Sequence, residues 1–348
     1  MSDRRTALGE LAHSPREPTL SRPQRAWCKS LALAQATSLV AAGRGLAPRP
    51  PGPLLRSAEY PKIFVVGCPR SGTTWVDDIL KRHPRVVGGA ESHLYPTISG
   101  TIGTGGRLSI GAWARLFYGI ERGSRLNRDG GAHHYVDRRA LARLGRAVLA
   151  EVATDEAATD RLVRAVFDEY FLAAGGTPDH VFVEKTPTHV FYAEQLLSTF
   201  PEAHVIEVVR DGRDVCVSMQ LRGRRFATWP TAREGQIDLW IRSVRRGLAL
   251  RGDANLRHRV TRVRYEDLKR DTAAESERLF TAAGLDAPPD IVAGAVASTD
   301  IRLYSTGAGE FRHRGEVGTW AEYFSAEDDR LFRAMVGDLF AEAGYTYD

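Results

Sequence analysis

Residues 63 to 75 read Ile-Phe-Val-Val-Gly-Cys-Pro-Arg-Ser-Gly-Thr-Thr-Trp, an apolar run that meets a glycine-bounded turn and then a helix start. Gly67 and Gly72 flank four residues, so the loop amides can turn inward. Thr73 and Thr74 add hydroxyls at a helix N-terminus, where an anion is favoured. The segment has the form of a phosphate cradle. The loop of ATPases and GTPases carries Lys and then Ser or Thr after its second glycine, and here Thr-Thr stands there. A nucleoside triphosphate needs that lysine on its outer phosphates. The one long cation inside the loop is Arg70, placed before Gly72, and the expected anion is therefore not ATP.

Working outward, short apolar strands alternate with helices. Strands are expected at Lys62 to Gly67, Val86 to Gly88, Val181 to Glu184, His204 to Val209 and Arg259 to Arg264. Helices are expected at Thr73 to Arg82, Asp155 to Ala174, Val190 to Ser198, Val215 to Leu221, Thr231 to Arg251, Asp271 to Ala283, Pro289 to Ala297 and Ala326 to Gly344. Such alternation predicts an α/β fold, a P-loop-like, mostly parallel β-sheet flanked by helices, with ligands beyond the strand C-termini.

Two segments depart from this rhythm. Residues 1–58 hold seven prolines around one candidate helix near Trp27 to Ala42 and are expected to form a basic, partly disordered leader to a domain at 59–348. Nine Lys or Arg stand against four Asp or Glu in residues 1–60, an excess equal to the whole-chain charge of +5. The rest is formally neutral, which argues against a nucleic-acid partner. Residues 99–139 are rich in Gly and Arg and are expected to form a cap over the sheet, with Trp113 and Tyr118 facing an acceptor. Cys28, Cys68 and Cys216 make no short-spaced pair, so neither a zinc ribbon nor a disulfide framework is expected. No run approaches the ~18 apolar residues of a membrane span. A cytoplasmic location is the expectation, and oligomeric state is not legible.

The second informative stretch is Val208-Val209-Arg210-Asp211-Gly212-Arg213-Asp214-Val215-Cys216-Val217-Ser218. Arg210 sits where a strand ends and Ser218 lies about two helical turns on. Together they can hold a second phosphate, Arg as a two-donor fork and Ser as a hydroxyl. The competing reading pairs Arg210 with Asp214 to fasten strand to helix.

With both motifs in order, the chain resembles the sulfotransferases that use 3'-phosphoadenosine 5'-phosphosulfate (PAPS). Pro69-Arg70-Ser71-Gly72-Thr73-Thr74-Trp75 resembles that family's 5'-phosphosulfate loop, and Arg210 with Ser218 matches its 3'-phosphate pair. A third element, Arg-Lys-Gly followed by two residues, Gly, one residue and Trp, is matched by His313-Arg314-Gly315-Glu316-Val317-Gly318-Thr319-Trp320 after Arg312, with His at the first position. The resemblance spans about Tyr60 to Phe324. It implies that Arg314 and the Gly315 amide bind the 3'-phosphate, with Arg312 or His313 as the alternative side chain there, that Trp320 or Trp75 covers the adenine, and that adenosine 3',5'-bisphosphate (PAP) is the product.

Glu91-Ser92-His93-Leu94-Tyr95 resembles the Glu-x-His-Phe-Phe segment of carbohydrate sulfotransferases, and Glu184-Lys185-Thr186-Pro187 their Glu-Lys-Thr-Pro segment. The histidine-base branch instead reads Lys-Thr-His, and His189 comes two positions late for it. The resemblance implies Glu91 as general base, Arg70 and Lys185 as cations at the sulfuryl group, His93 beside the acceptor and Glu184 in an ion pair. No metal is expected. The acceptor is a saccharide or another small molecule, through a hydroxyl or an amine. An ATP-dependent small-molecule kinase and a noncatalytic nucleotide-binding module are the alternatives.

Overall fold

The computed structural model describes residues 60–89, 91–95, 156–223, 230–299 and 315–347. Along the chain these form β1 (Lys62–Gly67), α1 (Thr73–Leu80), β2 (Val86–Gly88), α2 (Glu156–Ala173), β3 (Val181–Lys185), a 3-10 turn (Pro187–Tyr192), α3 (Ala193–Thr199), β4 (His204–Val209), α4 (Gly212–Gly223) and α5 (Arg233–Gly252). Then come β5 (Val260–Arg264), α6 (Tyr265–Arg270), α7 (Thr272–Ala282), α8 (Pro289–Ser298), α9 (Ala326–Val336) and α10 (Leu339–Glu342). The leader, the 99–139 cap with Trp113 and Tyr118, and Arg312, His313 and Arg314 lie outside the described residues.

Five parallel strands pair in the order β2-β3-β1-β4-β5. Every residue of β1 is buried, as a central strand covered on both faces requires. Its side chains alternate between two cores. Phe64 and Val66 pack with Phe167, Phe182 and Phe200, while Ile63 and Val65 pack with Val76, Ile79 and Ile206. A third cluster joins Val209 and Val215 to Trp240, Phe332 and Phe340 beyond the C-terminal ends of β1 and β4.

After β1 the chain crosses to the β2 side of the sheet, and after β4 it crosses to the β5 side. The crevice between β1 and β4 is thus the switch point where an open α/β sheet receives a ligand. Both sequence motifs open onto it.

Several element limits differ from expectation. The expected helix at 190–198 starts earlier, as a 3-10 turn with Pro187 in its first position, where a missing N–H costs nothing. Residues 265–270, where no element was expected, form α6. The expected helix 326–344 breaks into α9 and α10 at Gly337, whose φ is 54°.

Candidate active site

The loop after β1 is shaped by backbone that few residues tolerate. Gly67 has φ 153°, and a Cβ there would stand 2.3 Å from the Val208 carbonyl oxygen. Gly72 precedes α1 with φ 98°, and its Cβ would meet Cδ2 of Tyr265 at 2.5 Å. Arg70 itself adopts φ 76°, a left-handed conformation uncommon outside glycine. The turn closes where the Ser71 amide donates to the Cys68 carbonyl at 3.1 Å. Pro69, Ser71 and Thr73 are buried and Thr74 is exposed at the helix start.

Two buried polar atoms in this loop and its helix, Ser71 Oγ and Trp75 Nε1, have no protein partner. Such groups carry a desolvation cost unless a ligand or water meets them. Trp75 packs in the core with its ring 5.6 Å from that of Tyr265.

Arg210 leaves the end of β4 and lies buried with its guanidinium 4.3 Å from the Tyr265 ring centre. Its Nη2 donates to the Glu316 carbonyl at 2.8 Å and stands 3.5 Å from Asp214. Its Nε has no partner. Asp214 also accepts from the amides of Gly318 and Trp320, both at 2.9 Å. Arg210 thus stands against Asp214, as the fastening reading expects, and keeps one donor without a protein partner. Ser218 Oγ accepts from Arg70 Nε at 3.0 Å, a bond that ties the β1 loop to α4.

Gly315 and Trp320 are drawn onto the same crevice. The Gly315 carbonyl accepts from Tyr265 OH at 2.6 Å, and the partly exposed Trp320 ring lies 3.8 Å from the Arg213 guanidinium. Tyr265 is the residue that sequence reasoning missed. Its signal was position, the first residue past the C-terminal end of a parallel strand.

A second cluster stands beside the loop. Lys185 Nζ donates to Glu91 Oε1 at 2.5 Å and to Thr74 Oγ1 at 3.3 Å. His93 Nε2 meets the other Glu91 oxygen at 3.0 Å. Burial alone would raise the Glu91 carboxyl, but the His93 bond and the Lys185 charge outweigh it and hold it at about 2. The Glu91 side chain remains 29% exposed, open enough to meet a ligand.

Behind it, Glu184 is buried and accepts from the Ser92 amide (3.1 Å), Ser92 Oγ (2.7 Å), Thr186 Oγ1 (2.5 Å) and His189 (2.9 Å). Burial favours its neutral form, yet the contacts from His189, Thr186 and Ser92 bring it down to about 2. The titratable partner of Glu184 is His189, whose Nδ1 stands 2.9 Å from Oε2. That ring is fully buried, its Nδ1 on Glu184 and its Nε2 facing the Tyr95 amide at 3.4 Å. Among the described residues no group of three or more His, Cys, Asp or Glu forms a metal site, and no helix is long and apolar enough to cross a membrane.

Comparison with known proteins bears on this arrangement. Residues 61–289 match the family model described as "Sulfotransferase family". The nodulation protein NoeE of Sinorhizobium fredii is 24% identical over 312 residues, which cover 81% of this chain. The match spans 65% of that relative's length. The crystal structure of sulfotransferase STF9 from Mycobacterium avium is similar at a TM-score of 0.51 and 16% identity, covering 98% of this chain and 90% of that one. Mouse sulfotransferase SULT7A1, complexed with PAP, is similar at a TM-score of 0.46 and 17% identity, covering 84% of this chain and 91% of its own.

Proposed function

We propose that this chain, which belongs to the sulfotransferase family, transfers a sulfuryl group from PAPS to a hydroxyl of a saccharide, with Glu91 as general base. The observation that carries the reading is Lys185, whose ammonium joins Glu91 to Thr74 of the anion loop. A proton acceptor and an anion cradle thereby share one cation.

The residues present fit such a donor. Ser71 Oγ and Arg210 Nε are buried without protein partners, in the loop after β1 and at the end of β4. The amides and hydroxyls from Ser71 to Thr74 would hold the 5'-phosphosulfate end. Arg210 and Ser218, the latter bonded to Arg70 Nε, would hold the 3'-phosphate. Trp320 and Tyr265 offer ring faces near that end.

PAPS supplies a sulfuryl group whose bond to the 5'-phosphate oxygen is broken. The acceptor oxygen forms a new bond to sulfur, and the electron pair of the broken bond stays on the phosphate of PAP. Glu91 takes the acceptor proton, a transfer typically worth about 10² to 10⁴ in rate. Arg70 and Lys185 stabilise charge growing on the sulfuryl and bridging oxygens. An anion in the loop competes with Glu91 for the Lys185 ammonium, and the carboxylate regains basicity as that cation turns away.

The saccharide acceptor is supported by the Glu91-x-His93 and Glu184-Lys185-Thr186-Pro187 segments, which resemble those of carbohydrate sulfotransferases. Engagement of both His189 ring nitrogens inside the core favours Glu91 over His189 as base. Sulfur-labelled PAPS offered with panels of oligosaccharides, phenols and steroids, followed by mass analysis of labelled products, tests this. A sulfated sugar is expected. Label found only on phenols or steroids would overturn the acceptor class, and phosphoryl transfer from ATP in place of any labelled product would overturn the reaction.

A further inference from the structure

The geometry points to Glu184 as a positioning residue that fixes the Glu91 carboxylate through the backbone of Ser92 rather than by touching the substrate. The inference rests on the assignment of Glu91 as the base.

Glu91 lies after β2 and before Leu94 as a single bridge residue, without a helix or long strand of its own to aim it. Such a segment keeps one geometry only where hydrogen bonds fix it. Two anchors bracket Glu91. On one side the Gly89 carbonyl accepts from Lys81 Nζ at 2.7 Å, and the same ammonium is held by Asp77 at 2.7 Å. On the other side Glu184 Oε1 takes both the amide and the hydroxyl of Ser92.

Glu184 is well suited to this task. As a carboxylate it only accepts, and its surroundings only donate. Oε1 receives Ser92 and Thr186, while Oε2 faces His189 Nδ1. The Tyr95 amide points at His189 Nε2, so Nε2 must be the bare nitrogen and Nδ1 carries the proton toward Glu184. Thr186 Oγ1 in turn accepts from the His93 amide at 3.3 Å. Through Ser92, His93 and Tyr95, one buried carboxylate thus sets three points of the segment that begins at Glu91. Glu184 also directly precedes Lys185 on β3, so the base and its cation are fixed from neighbouring residues of one strand.

Glu184→Gln keeps size but replaces one oxygen by an amide donor. That donor turns His189 to its other tautomer and sets an Nε2–H against the Tyr95 N–H. Steady-state turnover and PAP titration on the full chain, carrying Glu184→Gln, Glu91→Gln and both, test the inference as a double-mutant cycle. Glu184→Gln is expected to lower kcat about ten-fold or more with PAP affinity kept within about two-fold, and the double variant to be no slower than Glu91→Gln alone, because coupled residues are non-additive. Losses that multiply, an unchanged kcat, or a parallel loss of PAP affinity would each overturn it.

Near-native turnover of the Glu91→Gln single variant would instead bring down the base assignment, and this inference with it. Should Glu184→Gln fail to fold, nitrogen-15 spectra of histidine in the unaltered protein still decide. A His189 ring with bare Nε2 and protonated Nδ1 supports the inference, and an Nε2–H ring overturns it.

Discussion

The Nζ of Lys185 lies 2.5 Å from Oε1 of Glu91 and 3.3 Å from Oγ1 of Thr74. One charge therefore serves two oxygens with opposite requirements. A base needs the cation to leave, and a bound anion needs it to come. Burial works against the charged carboxylate, and the His93 bond together with the Lys185 charge keeps Glu91 at about 2 in the free protein. In Lys185→Met the acid limb of kcat/KM, which reports the free enzyme, should move up by about one to three pH units as the cation's influence is lost. An unmoved limb would mean that Lys185 does not tune this carboxylate.

Glu91→Gln retains the side chain's size and removes its proton-accepting charge. Turnover should fall about 10²-fold or more while PAP binds with little change. Single-turnover kinetics beside a PAP titration make the check, and equal losses in both would assign Glu91 to binding.

Gly72 has φ 98° and no room for a Cβ beside the Tyr265 ring. Gly72→Ala should destabilise the fold by about 1–3 kcal/mol, the usual cost of forcing a side chain into such backbone, and push Tyr265 off the crevice. Urea unfolding measures the first effect and PAP affinity the second. A variant of native stability and affinity would show the loop to be more yielding than its contacts imply.

Glu184 titrates at about 2 in the fold against an ordinary value of 4.5, because the contacts from His189, Thr186 and Ser92 outweigh the opposing effect of burial. Between these values the unfolded chain binds the proton and the folded one does not, so its stabilising contribution is whole above pH 4.5 and is lost as pH falls toward 2. The urea midpoint should therefore drop less steeply over this acid range in Glu184→Gln than in the unaltered protein. Parallel slopes would contradict the shift.

Much of this was legible in the chain because local rules and tertiary demands agree. The run from Lys62 to Gly67 is apolar throughout because β1 is covered on both faces, and Gly67, Arg70 and Gly72 announce a tight loop before α1. Arg210 was legible as the residue at a strand end. Three features were not. Tyr265 reaches the loop from the start of α6, far along the sequence, and its position past a strand end does not by itself signal an aromatic wall for Gly72. The four donors on Glu184 come from Ser92, Thr186 and His189, brought together only by the pairing of β2 with β3. Gly337 reads as one more residue of an amphipathic run, and its break appears only where α10 folds back on Trp240 and Phe332.

The crevice between β1 and β4 is proposed to bind one nucleotide carrying both a 5'- and a 3'-phosphate. The test is calorimetric titration of the unaltered protein and of Arg210→Ala with PAP, adenosine 5'-monophosphate and ATP. PAP should bind tightest without magnesium, and Arg210→Ala should weaken PAP about ten-fold or more through the lost charge-assisted bond while leaving the monophosphate nearly unchanged. Magnesium-dependent preference for ATP, or equal losses for PAP and the monophosphate, would contradict it.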